Sequence, residues 1–174
     1  MSLKLYEIDR HAHDLVLQFR DKKDVLGESH KMRMMTAYGL ERFWGEHLRL
    51  ERESKDKADF WKATWKTFCK IMKSAGITIP NDEINYNDNN ATAAIKTMAD
   101  KLWDLGVPKK PINPNFPIVI PANTNEISDD DINQYNQQRK IALTVLIELC
   151  DSMVWWTQRY KKPRNGMGGS KDGK

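Results

Sequence analysis

Lys62, Lys66, Lys70 and Lys73 follow one another at spacings of four, four and three residues. On a helix they fall within an arc of about 80°. The line holds no acid of its own, and like charges one turn apart repel by roughly a few tenths of a kcal/mol per pair. An anion relieves that repulsion, and a nucleic-acid backbone offers phosphates at comparable spacing, bound through counterion release. A second line runs through Lys31, Tyr38, Arg42 and Arg49, within about 40° on one helical wheel, with Gly45 beside it and Glu46 and Glu53 bordering it. Arginine forks a phosphate, tyrosine stacks on a base, and glycine lets a backbone approach closely. Lys161, Lys162 and Arg164 form a third basic element, an arm near the end of the chain. Three such elements on a small chain point to an electrostatic, sequence-independent grip on nucleic acid. A merely solvated lysine face is the competing reading.

Catalytic chemistry finds little support in the residue pattern. His11 and His13 stand two apart, about 200° around a helix, so they cannot chelate one metal together. His13-Asp14 has the form of a phosphohydrolase dyad but lacks companion ligands, and a structural or surface histidine is the better reading. His47 falls in an apolar stripe, where a hydrogen-bonded core histidine is expected. Cys69 and Cys150 fall on apolar faces and read as small hydrophobes. Gly168 to Lys174 matches a phosphate-loop spacing, but no strand precedes it and no Ser/Thr follows, so the match is accidental. No cofactor, metal or catalytic residue is assigned. Trp44, Trp61 and Trp65 sit on apolar helix sides and are expected in the core. Trp155 and Trp156 point about 100° apart, which makes that pair the candidate interface aromatics.

The elements that must position these residues are helical nearly throughout. Apolar residues recur at 3.6-residue spacing over about 3–20, 29–53, 56–75, 90–105 and 128–160, predicting an all-α bundle of four to five helices. Gly76 is placed to stop the third helix, and Asn81–Asn90 reads as a loop. Five prolines between residues 107 and 127 predict a crossover, and Ser128 with Asp131 suggests the cap of a long last helix. Its middle, Ile141 to Cys150, is apolar around most of the wheel, so it should lie centrally. Residues 1–162 are read as one helical domain, and 163–174, with four glycines, as a disordered basic tail.

The chain has 174 residues, 40% hydrophobic and 30% charged, which excludes a disordered or fibrous composition. Two cysteines cannot build a disulfide framework, and no run of 18 apolar residues occurs. A soluble, cytoplasmic chain that engages no membrane is the expectation. The net charge of +4 is uneven: residues 1–75 carry 16 Lys/Arg against 12 Asp/Glu, residues 76–160 carry 7 against 11, and 161–174 carry 5 against 1.

The segment Leu149-Cys150-Asp151-Ser152-Met153-Val154-Trp155-Trp156-Thr157-Gln158, together with a start inside a helix at Leu3, resembles the small subunit of a CRISPR surveillance complex. The similarity is to the type I-D kind, which corresponds to the C-terminal helical portion of that system's large subunit. The resemblance implies a non-catalytic role in antiviral defence. Several copies would line a ribonucleoprotein, touching guide RNA and other subunits and stabilising the target or displaced DNA strand. The acidic middle departs from the uniformly basic surface such a subunit implies. A helical adaptor that binds protein alone, through Trp155, Trp156 and the acidic middle, is the alternative.

Overall fold

The computed structural model describes residues 5–85, 87–105 and 129–162. Among the described residues six α-helices succeed one another: α1 (Leu5–Phe19), α2 (Glu28–Met35), α3 (Leu40–Leu50), α4 (Lys55–Ser74), α5 (Ala91–Trp103) and α6 (Asp129–Tyr160). No strand occurs among the described residues, and the helices pack as the expected all-α bundle. The proline-rich crossover at 107–127, the cap at Ser128 and the tail at 163–174 lie outside the described residues. No helix among the described residues is long and apolar enough to cross a membrane.

One expected helix is two. The segment 29–53 breaks at Gly39, whose backbone takes φ 99° and ψ 169° after a 3₁₀ turn at Thr36–Tyr38. Left-handed φ is cheap only for glycine, and a Cβ at this point would meet Glu41 Oε1 at 2.9 Å. The apolar period continues across the break, so pattern alone hides it. Gly76 ends α4 as expected. It takes φ 81°, its N–H donates to the Lys73 carbonyl, and the Ile77 N–H donates to Met72, closing a paired C-terminal motif.

The core follows from the apolar faces. Phe60, Trp61, Trp65 and Phe68 of α4 are buried: Phe60 meets Phe19 of α1, Trp61 and Trp65 meet Phe43 of α3, and Phe68 packs on Trp65. Each such side chain contributes about 1.5–3 kcal/mol by leaving water. α6 is central, as its all-round apolar middle predicts, and packs against α1, α2 and α4. Its most extensive contact is with α1. Asp9 meets Trp156, His13 meets Tyr160 and Arg20 meets the Tyr160 carbonyl, so α1 and α6 run in the same direction.

Two charged ties lock the helices. Glu28, 2% exposed at the start of α2, accepts Trp61 Nε1–H at 3.1 Å and Lys31 Nζ at 2.9 Å, with Lys57 Nζ at 3.6 Å. Burial pushes the Glu28 carboxyl up, but the hydrogen bonds from Lys31 and Trp61 and the charges of Lys31 and Lys57 outweigh it and hold it below its usual range. Arg139 of α6 reaches Glu41 of α3 at 2.8 Å and the Leu102 carbonyl of α5 at 3.0 Å.

Candidate nucleic-acid interface

On α4 the four lysines lie along the side away from the apolar face, as their spacing requires, but they are not equivalent. Lys62 pairs with Glu51, just past the end of α3. The bond to Lys62 is the main cause that holds the Glu51 carboxyl below its usual range. Lys66 meets Glu83, on the extended segment after α4, at 3.4 Å. Lys70 and Lys73 make no ion pair among the described residues. An acid-free stripe on the helix is therefore half-neutralised in the fold, because neighbouring elements supply the acids.

The second line does not survive folding. The break at Gly39 separates Lys31 from Arg42 and Arg49, so no common wheel exists. Lys31 serves the buried Glu28. Arg49 is clamped between Glu46 and Glu53, each at 2.5 Å, and these two bonds raise its already high pKa. Arg42 alone stays uncommitted to an acid among the described residues, its guanidinium 5.7 Å from the centre of the exposed Tyr38 ring. These two and Met35, Gly45 and Glu46 wall a shallow hollow of about 560 Å³.

The third element gains cations that its own segment does not carry. The turn after α1 lies against the end of α6, so Arg20, Lys22 and Lys23 meet Lys161 and Lys162 around an open groove of about 400 Å³. Arg20 Nε caps the Tyr160 carbonyl at 3.1 Å, fixing the two ends together. Among the described residues, the acids in the groove wall are Asp21 and Asp24. Asp21 pairs with Lys162 at 2.6 Å, and the bond from Lys162 leads the causes that hold its carboxyl below the usual range. Lys22 reaches Asp56 at the start of α4 at 2.9 Å, which raises its ammonium pKa. Lys23 and Lys161 have no acidic partner among the described residues. Asp24 takes a left-handed conformation, φ 55°, a turn geometry that aspartate tolerates better than most residues. Arg164 lies outside the described residues.

A comparison of the chain with protein-family models finds no match, and neither do comparisons with curated proteins and with solved structures.

Arg20, Lys22 and Lys23 were missed by wheel reasoning because they belong to a turn. The available signal was the basic run just past α1, whose Arg20 stands 141 residues from Lys161 in sequence and beside the same groove in space. The expected aromatic pair also divides. Trp156 is committed within the chain: its Nε1–H donates to Asp9 Oδ1 at 3.0 Å, its ring stacks on Tyr160, and His13 meets it edge-on at 4.7 Å. That contact also accounts for His13 as a packed, structural side chain. Trp155 stays 47% exposed.

The remaining candidates behave as side chains of the interior. His47 is buried, with Nδ1 on the Trp44 carbonyl, and burial is the main cause that lowers its pKa. It lines a cavity of about 260 Å³ beneath Lys62 and Lys66, with Trp44, Trp65 and residues 81–84. Burial pushes the Cys69 thiol up to about 12 and raises Cys150 further, so neither presents a thiolate near neutral pH.

Proposed function

We propose that this chain is a non-catalytic, nucleic-acid-binding subunit of a cytoplasmic ribonucleoprotein, present in several copies. The resemblance to CRISPR small subunits suggests guide RNA and a target or displaced DNA strand as its ligands. The observation that carries the reading is the groove at the joined ends of α1 and α6, where, among the described residues, five cations line a wall with two acids. Such a groove attracts phosphates from any sequence, because the gain comes from released counterions and not from base edges. Lys70 and Lys73 on α4 and Arg42 beside Tyr38 extend the uncommitted positive surface. A single copy grips weakly, and copies held in one assembly bind together at high effective concentration.

The test is retention on unrelated single- and double-stranded oligonucleotides as salt is raised. The reading expects weak binding, similar for all sequences, that falls linearly in log affinity against log salt. Tight sequence-specific binding by one copy, or binding indifferent to salt, would overturn it. One observation favours the protein-only adaptor reading, namely the exposed ring of Trp155. No retention at low salt would make that reading the better one.

A further inference from the structure

Trp155 and Trp156 stand at the rim of a cleft of about 380 Å³ on the α1–α6 seam, with Asp9, Asp151 and Ser152 completing its wall. We infer that this cleft is a binding site for an arginine side chain presented by a protein partner. The two indole rings meet at 80° with their centres 4.5 Å apart, forming an aromatic corner. Trp156 is held rigid by Asp9 and Tyr160, while Trp155 offers its ring to solvent. Electron-rich ring faces attract cations, and the face offered here is that of Trp155, because Trp156 already stacks on Tyr160 and meets His13 edge-on.

The carboxylates have the matching sign. Asp9 spends one oxygen on the neutral Trp156 indole and meets no cation among the described residues. Asp151 gives one oxygen to Arg33 Nε at 2.5 Å, and its second oxygen has no partner among the described residues. Arg33 answers Asp151, so Asp9 is the carboxylate of this wall that no cation among the described residues answers.

Arginine fits better than lysine for a reason visible in the fold. The Arg159 guanidinium already lies 3.3 Å from the centre of the Trp155 ring, held by the Trp155 carbonyl at 2.8 Å. Arg159 is one turn after Trp155, whereas Asp151 and Ser152 are about one turn before it, and helical side chains lean toward the N-terminus. The cleft thus opens on the ring side that Arg159 leaves uncovered, and a second guanidinium can complete a sandwich. A planar fork also meets a carboxylate edge while stacked, which a spherical ammonium cannot do.

The inference stands apart from the nucleic-acid reading, since it uses none of the groove residues. The test follows the indole N–H signals of the full chain by NMR, assigned with Trp155→Phe, during titration with acetyl-Gly-Arg-Gly-amide. Saturating shifts at Trp155 and Trp156 are expected, with the Lys peptide at least about threefold weaker. Trp155→Ala should weaken the arginine peptide by about threefold to tenfold. Asp9→Asn should also weaken it while keeping an oxygen for the Trp156 indole, and circular dichroism should be unchanged in both. Equal shifts with the Lys peptide, no saturable shift, or an affinity unmoved by Asp9→Asn would overturn the inference. Shifts of the same signals with an oligonucleotide would overturn it too, by naming the wrong occupant.

Discussion

Along α4, Lys62 and Lys66 meet Glu51 and Glu83, and where α1 ends Lys22 meets Asp56 and Lys162 meets Asp21 around a groove. The two regions carry the same number of lysines, and each keeps two of them without an acid among the described residues. They differ in that the α4 line lies on one helix, whereas the groove gathers its cations from two distant parts of the chain. The helix line is regular, and a regular line on a packed helix lies beside other elements that can supply acids. The groove is irregular, assembled from a turn and a helix end, and its neighbour Glu28 turns inward to Trp61, Lys31 and Lys57. A helical wheel counts charge on one element, while a ligand meets the sum over all of them.

The largest effect that can break this comparison is on binding. Replacing Lys22, Lys23, Lys161 and Lys162 by Ala should make the slope of log affinity against log salt shallower by about two, carried by Lys23 and Lys161. The same treatment of Lys62, Lys66, Lys70 and Lys73 should change it less, because Lys70 and Lys73 stand along one helix face and not around a concavity. A larger loss from the α4 set, measured on the same oligonucleotide, would reverse the ranking of the two regions.

Next in size is the support beneath the groove. Glu28→Ala leaves the Trp61 indole N–H without its acceptor and two lysines without their anion, and should lower stability by about 2 kcal/mol in denaturant unfolding. Glu28→Gln, which keeps an acceptor for Trp61, should cost about half of that. If Glu28→Ala unfolds at the wild-type midpoint, the inward carboxylate does not hold the groove turn.

The smallest effect separates the regions by pH. Burial lowers the pKa of His47, under the α4 line, so the unfolded chain takes up that proton more readily than the folded one. Stability on this side should begin to fall as pH drops below roughly 6.5. Glu28 acts lower: its folded carboxyl is depressed, so its contribution is complete above roughly pH 4.3 and is lost as pH falls through the folded value. Replacing His47 by Gln should flatten the stability curve just below about pH 6.5. An unchanged curve would mean that the histidine is not held neutral by its burial.

The sequence by itself determined the helical class, the core tryptophans Trp44, Trp61 and Trp65, the stop at Gly76 and the central place of α6. Each of these follows from a period or a cap, and both are read within a single turn or stripe of the chain. It also placed the α4 lysines away from the core, because that too is a property of one helix. Only the tertiary structure decided which cations stay available. The glycine break at Gly39, invisible to a period that runs through it, separated Lys31 from Arg42 and Arg49. Glu51 and Glu83 reached α4 from other elements, and Arg20 joined Lys161 across 141 positions of sequence. Trp156 turned into the α1 seam while Trp155, one residue earlier, stayed outside. The physical reason is the same in each case: electrostatic and aromatic contacts act through space over a few ångströms, and neighbours at that distance are chosen by packing.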